Sequence, residues 1–378
     1  MESINIVHCA DIHFDTPFTA IGERAAVRKD EIRITFSNII ESCIQRNAAL
    51  LLISGDLFDA AYVTEETIRF IISSFRRIPD TKIFISPGNH DPYMSSSRYA
   101  SEIWPENVHI FKNNFIEFVE LPEYKVRVYG AAFTSPYVNK NIMDGFNCIK
   151  DDYINIMTIH GELVSSGTKS DYNPIASDSV ALSYLNYLAL GHKHTYVEGL
   201  LGATCYAYPG APEGRGFDEL GDKGIISGTI SKNKVSLEFI KTSQRNYYEK
   251  EIDISGLFTH EDICNRIQNA ILPPDSASSH LYKVILTGYV ENGFRPDINL
   301  LLSRLNDKFF YIKIVNRLKT KLNFEALKKE SSLKGIFTRK MFELANSEGI
   351  DITEGNKYYD ALVLGLQAFD GEVKIDEN

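Results

Sequence analysis

Residues 48–59 read Ala-Ala-Leu-Leu-Leu-Ile-Ser-Gly-Asp-Leu-Phe-Asp, and this stretch decides the fold class. Its apolar run, Ala48–Ser54, has the length of a strand, and the Gly55-Asp56 pair behind it is typical of a tight turn. Outward from this stretch, strand and helix signals alternate through the first half of the chain. That alternation predicts a layered α/β domain.

The flanking segments repeat the pattern. Ile4–His8 and Lys82–Ser86 are short apolar strands, and apolar residues recur at helical spacing over residues 31–47 and Thr64–Phe75. Thr64 is the predicted N-cap of the second helix. Further strands are predicted at Val126–Ala131, Ile154–Ile159, Tyr187–Leu190, Thr204–Tyr208, Gly224–Ile230 and Val235–Ile240. Beyond residue 200 the strands follow one another closely with turn residues between them, which predicts an antiparallel section.

The pattern changes near residue 243. Helix signals at His260–Ile271 and Ile298–Lys308 alternate with strand signals at Tyr282–Tyr289 and Phe310–Val315, and this indicates a small α+β unit. From Asn323 onward the signals are helical. We therefore predict three domains, namely a layered α/β domain at 1–243, an α+β domain at 244–322 and a helical segment at 323–378.

The composition excludes several classes of protein. No apolar run approaches the roughly 20 residues that cross a bilayer, and residues 1–7 lack the basic and apolar regions of a signal peptide. The five cysteines are odd in number and widely scattered, which indicates free thiols in a reducing compartment. The cytoplasm is therefore the predicted location, with no membrane partner.

The charge is unevenly distributed. The chain carries a net charge of −10, but residues 304–340 contain eleven Lys or Arg and three acids, a net of +8, which leaves −18 for the remainder. Two interpretations remain open. The basic segment is either an ordinary solvated helical face or a surface that follows a phosphate backbone.

Polar side chains follow five of the predicted strands at the point where each strand ends. Open α/β sheets place their ligand sites at this position. Taken alone, each group is only weak evidence for a functional site. Asp-x-His is common, Gly-Asp is usually a turn, and a single histidine is usually structural. The ordered set is specific, and its members are Asp11, His13, Asp56, Asp59, Asn89, His90, His160, His192 and His194.

The residue types indicate a pair of divalent cations. Two ions about 3.5–4 Å apart can clamp the attacking and leaving oxygens of a phosphoryl displacement. Such a pair needs a carboxylate that bridges both ions, with imidazoles and neutral oxygens completing each shell. Imidazole with carboxylate suits manganese, iron or zinc better than magnesium or calcium. No cysteine lies in these motifs, which argues against a structural zinc site.

The ordered set resembles the calcineurin-like metallophosphoesterase signature. Within that class, the chain resembles the SbcD-type DNA repair exonucleases, particularly their YhaO-like branch. The resemblance covers roughly residues 1–240 and implies a layered β-sandwich flanked by helices, with a smaller α+β domain that caps the site or binds DNA. The segments that carry it are Ala10–Phe18, Gly55–Asp59, Gly88–Pro92, Trp104–Val108, Ala189–His194 and Tyr208–Arg215.

The resemblance also implies roles for single residues. His90 would stay off the metals and stabilise developing charge or protonate the leaving oxygen, and Asp59 would orient His90. Arg215 would either touch substrate phosphate or be a surface arginine in a Gly-rich loop. The implied ligands are Asp11, His13 and His194 for one metal, Asn89, His160 and His192 for the other, and Asp56 for both.

The resemblance implies a manganese-dependent 3′-to-5′ DNA exonuclease with endonuclease activity, which works with an SbcC-type ATPase docked through residues 323–369. It also implies a homodimer. Ile68, Ile71, Ile72 and Phe75 form either the dimer face or an ordinary core stripe. Two rival functions share the motifs. One is a phosphatase or a small-molecule or phospholipid phosphodiesterase, and the other is a non-catalytic scaffold that brings an ATPase to DNA.

Overall fold

The computed structural model describes residues 3–271, 273, 275–291, 294–320, 322–353 and 355–369. Lys321 of the basic segment and residues 370–378 of the predicted helical segment lie outside the described residues.

The helices are α1 (Ala25–Gln45), α2 (Glu65–Arg76), α3 (Arg98–Ser101), α4 (Ser177–Leu182), α5 (His260–Ala270), α6 (Asp275–Ser279), α7 (Ile298–Leu305), α8 (Phe324–Lys329), α9 (Leu333–Ser347) and α10 (Lys357–Phe369), with 3₁₀ turns at Thr19–Arg24 and Asn306–Lys308. The strands are β1 (Ser3–Cys9), β2 (Leu50–Ile53), β3 (Lys82–Ile85), β4 (Val108–Ile110), β5 (Glu117–Leu121), β6 (Val126–Gly130), β7 (Ile154–His160), β8 (Glu162–Val164), β9 (Pro174–Ala176), β10 (Tyr187–Gly191), β11 (Val197–Leu201), β12 (Thr204–Tyr208), β13 (Gly224–Ser231), β14 (Val235–Lys241), β15 (Tyr247–Asp253), β16 (Leu281–Thr287), β17 (Tyr289–Val290), β18 (Tyr311–Asn316) and β19 (Lys319–Thr320).

Two six-stranded sheets form the larger part of the fold. Their strand orders are β14-β13-β1-β2-β3-β4 and β11-β12-β10-β7-β6-β5. Strands β1 to β4 are parallel, as are β6, β7, β10 and β12. The predicted antiparallel section is confirmed for β13 and β14, whereas β12 is antiparallel to β11 but parallel to β10.

The alternation of side chains explains why β2 is apolar at every position and why apolar residues occur at both odd and even positions of β1. Successive side chains of a strand point to opposite faces of the sheet. Val7 and Leu51 belong to a core that also contains Phe36 of α1 and Ile68 of α2. Ile6, together with Leu50 and Leu52, belongs to a second core shared with strands of the other sheet. Both faces of this sheet are therefore buried, as expected for a parallel sheet.

The second sheet is also covered on its outer face. Met157 and Leu188 pack there with Val180 of α4 and with Leu185. The layers therefore follow in the order helices α1 and α2, the first sheet, the second sheet, and a thinner layer of helix and loop. The predicted layered sandwich flanked by helices is thus confirmed.

Helix α2 corrects one expectation about oligomerisation. Thr64 is its N-cap, as predicted, and accepts a hydrogen bond from the Thr67 backbone amide at 3.2 Å. The apolar stripe of α2 lies inside the core, because Ile68, Ile71 and Phe75 are 0% exposed and Ile72 is 9% exposed. The dimer-face interpretation of this stripe is therefore wrong, and the core-stripe alternative is confirmed.

The chain divides into two compact units. The first comprises Met1–Lys250, Ile267–Ile285 and Leu302–Val315, and it contains both large sheets. The second comprises Glu251–Arg266, Leu286–Leu301 and Asn316–Asn378. Within the second unit, α8 and α10 contribute Leu327, Leu362 and Leu366 to a small core of their own. The boundaries at residues 243 and 322 stay a prediction.

Strands β15, β16 and β18 form a three-stranded sheet. All five cysteines are free thiols. Among the helices in the described residues, none combines the length and the apolar composition that a bilayer crossing requires.

Candidate metal centre

The polar groups singled out in the sequence lie at the carboxyl ends of strands from both large sheets. Asp11 and His13 follow β1, Asp56 follows β2, and Asn89 and His90 follow β3 in one sheet. In the other sheet, His160 is the last residue of β7, and His192 and His194 follow β10. Parallel strands bring their carboxyl ends to the same edge of a sheet, which is where α/β folds bind ligands.

Four of the seven predicted ligands have a left-handed backbone. The φ angles are 54° at Asp11, 50° at His13, 51° at Asp56 and 106° at His192. Such conformations cost about 1–3 kcal/mol each and persist only where the surroundings impose them. Backbone hydrogen bonds between the loops do so here, from Asp11 to Gly55 at 3.1 Å and from His13 to Asp56 at 3.0 Å. The His192 amide donates to the Asp11 carboxylate at 3.1 Å.

Two glycines allow the two sheets to approach each other at the site. A Cβ on Gly191 would overlap the backbone carbonyl oxygen of Ser54, and a Cβ on Gly55 would overlap the His160 ring. Gly55 also has a φ of 91°, which L side chains rarely adopt. Both glycines directly precede predicted ligands, as the sequence pattern indicated.

Asp11, His13 and His194 form the first candidate group. One ligand atom from each lies within 4.8 Å of the others, and His194 Nε2 is 3.9 Å from Asp11 Oδ1. His13 is fully buried, yet its Nε2 has no hydrogen-bond partner and lies 3.6 Å from Asp56 Oδ2. A buried nitrogen without a partner is costly unless a ligand satisfies it. The group therefore fits a cation.

The second candidate group surrounds His160. Its Nδ1 lies 2.8 Å from the carbonyl oxygen of Ser54, so Nδ1 carries the proton and the Nε2 lone pair is free. That Nε2 lies 3.4 Å from Asp56 Oδ2 and 3.0 Å from Asn89 Oδ1. The His192 ring is 5.3 Å from the His160 ring, centroid to centroid. His160 Nε2, Asp56 Oδ2 and Asn89 Oδ1 are all lone-pair atoms that face one another. Such a cluster of acceptors is again suited to a cation.

Asp59 connects a candidate ligand with the candidate proton donor. Its Oδ1 lies 2.7 Å from His13 Nδ1 and 3.1 Å from His90 Nδ1. The His90 side chain is 47% exposed, so it reaches the solvent side of the site, whereas His13 is buried. His13, Asp56 and His90 also bring ligand atoms within 4.8 Å of one another, but His90 Nδ1 is already engaged by Asp59.

Burial and neighbouring charges shift the titration of these groups. Burial lowers the pKa of His13, and burial together with His160 lowers the pKa of His192. Low values favour the neutral imidazole, which is the form that binds metals. Burial alone would raise the pKa of Asp56, but the charges of His160 and His13 outweigh it and hold that pKa below its ordinary value.

The hydrogen bond to Asp59 raises the pKa of His90 above its ordinary value, although burial opposes the shift. The pKa of Asp59 is correspondingly far below its usual range, because the bonds to His13 and His90 outweigh its burial. For His194, burial would lower the pKa, but the hydrogen bond to Glu219 raises it.

Two residues at the site carried no assigned role in the sequence. Asp91 is fully buried and accepts hydrogen bonds from the amides of Gly88 and Leu57 and from the Tyr99 hydroxyl, each at 2.7 Å. It thereby ties the loops after β2 and β3 together. Glu219 lies 2.7 Å from His194 Nδ1.

Arg215 lies beside His194. Its guanidinium donates to Glu219 Oε1 at 3.1 Å, and its NH2 nitrogen lies 2.9 Å from His194 Nδ1. The segment Tyr208–Arg215 was recognisable in the sequence, but no signal there pointed to Glu219, four residues further on.

Two relatives each match about two thirds of the chain. The chain is 25% identical over 264 residues to the uncharacterized metallophosphoesterase YhaO of Bacillus subtilis. The matched region covers 68% of this chain and 64% of that protein. It is also 25% identical over 267 residues to the DNA double-strand break repair protein Mre11 of Aeropyrum pernix, covering 66% of this chain and 63% of that protein. The chain thus spans slightly less than two thirds of the length of each relative.

Among solved structures, TT1561 of Thermus thermophilus is 11% identical, with a TM-score of 0.38, and the match covers 62% of this chain and 98% of that one. The family model for calcineurin-like phosphoesterases matches residues 4–196, just over half of the chain, and all seven predicted ligands lie within that range. The chain belongs to the calcineurin-like phosphoesterase family.

Proposed function

We propose that this protein is a two-metal phosphodiesterase that hydrolyses DNA, as a 3′-to-5′ exonuclease with endonuclease activity in DNA repair. The observation that carries the proposal is the position of Asp56. Its Oδ2 lies 3.6 Å from His13 Nε2 and 3.4 Å from His160 Nε2, so one carboxylate would serve both candidate groups. Similarity to Mre11 proteins, which are named for double-strand break repair, supports DNA as the substrate.

The chemistry of the donors supports two divalent ions with manganese as the first choice and iron or zinc as alternatives. The proposed ligands are Asp11, His13 and His194 for one ion, Asn89, His160 and His192 for the other, and Asp56 for both. When bound, such ions neutralise phosphate charge and lower the pKa of the attacking water.

The side chains of the protein supply the remaining chemistry. His90 is half exposed at the solvent side of the site and donates a proton to the leaving oxygen of the phosphodiester. Asp59 accepts from His90 Nδ1, which orients the ring and leaves Nε2 available for that proton transfer. His13 shares the same Asp59 oxygen, so one carboxylate holds both a metal ligand and the proton donor in place.

The basic segment, residues 304–340, offers positively charged side chains to the phosphates of the DNA backbone. Lys313 is exposed on β18, and Arg317 is exposed with Glu251 4.0 Å away. Arg339 is less available, because it donates to the backbone carbonyls of Lys328 and Glu330. We propose that the exposed members of this segment contact phosphates, which would make DNA affinity fall with rising salt.

Metal removal tests the substrate and the chemistry together. Protein dialysed against EDTA and supplied with end-labelled single- and double-stranded DNA should be inactive, because its ligands hold no cations. Manganese should restore trimming from the 3′ end, and magnesium should restore less. Hydrolysis of p-nitrophenyl phosphate without DNA cleavage would instead favour a phosphatase, and full metal loading with no hydrolysis of either would favour a scaffold.

We also propose that an SbcC-type ATPase docks on the helices of the second unit. These helices expose apolar side chains around a small core, with Leu333 70% exposed and Leu344 50% exposed on α9, and Leu364 55% exposed on α10. Short helices with an exposed apolar face commonly bind a partner helix. A homodimer and a cytoplasmic location belong to the same proposal, with the dimer contact outside the buried stripe of α2.

The double variant Leu333→Glu/Leu344→Glu should weaken binding of an SbcC-type ATPase. Removing an interface anchor typically costs about 2 kcal/mol or more, which corresponds to roughly 30-fold in affinity. Pull-down and calorimetry would measure the loss. Leu182→Glu is the matched control, since Leu182 is 60% exposed but lies on α4 of the first unit. Equal binding by the double variant and the control would contradict this docking site.

A further inference from the structure

The segment that follows β12 folds back onto His194. Glu219 is 6% exposed, and its Oε1 lies 2.7 Å from His194 Nδ1. The same carboxylate is held by Arg215, whose backbone amide donates to Oε2 at 3.0 Å and whose Nε and NH2 donate to Oε1 at 3.2 and 3.1 Å. One short stretch of chain thus supplies both the carboxylate and the group that fixes it.

A third residue of this stretch holds the backbone of His194. Lys223 is 3% exposed, and its Nζ donates to the carbonyl oxygen of His194 at 2.7 Å. The main chain of His194 is therefore anchored by Lys223 and its ring by Glu219. The other ring nitrogen, Nε2, faces Asp11 Oδ1 at 3.9 Å and lies 3.4 Å from Arg215 NH2.

We propose that Glu219 is a positioning residue that fixes the tautomer and orientation of His194, and that Arg215 serves as the clamp on Glu219. This inference rests on the proposed role of His194 as a metal ligand. Glu219 Oε1 is the nearest partner of His194 Nδ1 and can only accept, so Nδ1 carries the proton, while Arg215 NH2, 2.9 Å from Nδ1, donates to the same carboxylate. The lone pair then lies on Nε2. In the other tautomer, Nε2 would carry the proton and could not bind a cation.

The same arrangement occurs at His13, whose Nδ1 meets the Asp59 carboxylate at 2.7 Å. At the second candidate group, the nearest partner of His160 Nδ1 is the neutral carbonyl of Ser54 at 2.8 Å, and the Asp11 carboxylate is 4.0 Å away. Carboxylate-backed imidazoles are more basic ligands than carbonyl-backed ones. The group of Asp11, His13 and His194 is thus built for tighter cation binding than the group around His160, and Glu219 accounts for part of that difference.

Glu219→Gln tests the proposal on the metal-binding protein itself. Glutamine keeps the shape but removes the charge, and its amide can donate to Nδ1 and favour the wrong tautomer. Calorimetric titration of the EDTA-treated full chain with manganese should show one of two sites weakened by about 10–100-fold. Nitrogen-15 NMR of the metal-free protein should show the His194 proton moving from Nδ1 to Nε2. Glu238→Gln is the control, because Glu238 is an exposed surface carboxylate paired with Arg46.

Arg215→Ala distinguishes two roles of Arg215, namely holding the Glu219 carboxylate and contacting substrate phosphate. A clamp predicts weaker manganese binding in the free protein, whereas a residue that touches only substrate would leave that affinity unchanged and raise KM for DNA. Wild-type manganese affinity in both Glu219→Gln and Arg215→Ala would overturn the inference, even if both variants melt at lower temperature. Failure of the wild-type chain to bind two manganese ions would instead contradict the proposed function.

Discussion

Asp56→Asn is expected to abolish measurable DNA hydrolysis and to reduce manganese binding from two ions to one or none. The Asp56 carboxylate is the group placed between His13 and His160, and asparagine offers both ions a neutral oxygen in place of a shared charge. Bound metals contribute several kcal/mol to stabilising a phosphoryl-transfer transition state. A loss of about 4 kcal/mol corresponds to roughly a thousandfold in rate, at about 1.36 kcal/mol per factor of ten.

Manganese stoichiometry and the initial rate on end-labelled DNA would measure this effect. Asp15→Asn is the matched control, because Asp15 is a buried carboxylate of the loop after β1, and its Oδ2 accepts from the Thr64 amide at 2.9 Å. The control should bind two ions and keep most of its activity, even if it is less stable. Two ions and near wild-type rates in Asp56→Asn would mean that no shared carboxylate is needed.

His90→Asn is expected to lower kcat on DNA by about 10²–10⁴-fold, the range for loss of a general acid or base. Manganese binding should remain at two ions, because His90 Nδ1 is bonded to Asp59 and the proposed ligand sets do not require His90. Bis-p-nitrophenyl phosphate, whose leaving group needs little protonation, should lose much less rate than DNA. Equal losses on the two substrates would indicate that His90 does not protonate the leaving oxygen.

The pH profile provides an independent check on His90. The bond to Asp59 raises the His90 pKa, so the protonated form exists at pH values below that pKa and is lost as pH rises through it. In a plot of kcat against pH, the limb where kcat falls with rising pH should therefore have an apparent pKa above the ordinary imidazole pKa of about 6.5. Asp59→Asn should move this limb to lower pH. An unmoved limb in that variant would assign the limb to another group.

Most of the first unit was predictable because its signals are local. The strand predicted at Thr204–Tyr208 coincides with β12, and the end of α2 lies one residue from its predicted position. The start of α1 was missed, since Ala25–Asp30 lacks an apolar stripe. There Arg28 is fully buried and forms ion pairs with Glu31, three residues further on, and with Glu213, which a distant part of the chain supplies. Strands β4, β5 and β11 were also missed, and all three lie at sheet edges.

By itself, the sequence determined the layered class, the family and the ordered polar groups, because strand periodicity and the residues after each strand are properties of neighbouring positions. Tertiary structure alone decided that the stripe of α2 is core and that Asp59 contacts His13 as well as His90. It also decided that Glu219 meets His194 across 25 positions, and that four of the predicted ligands take left-handed backbones. Those features depend on which loops the packed sheets bring together, and no local pattern specifies that.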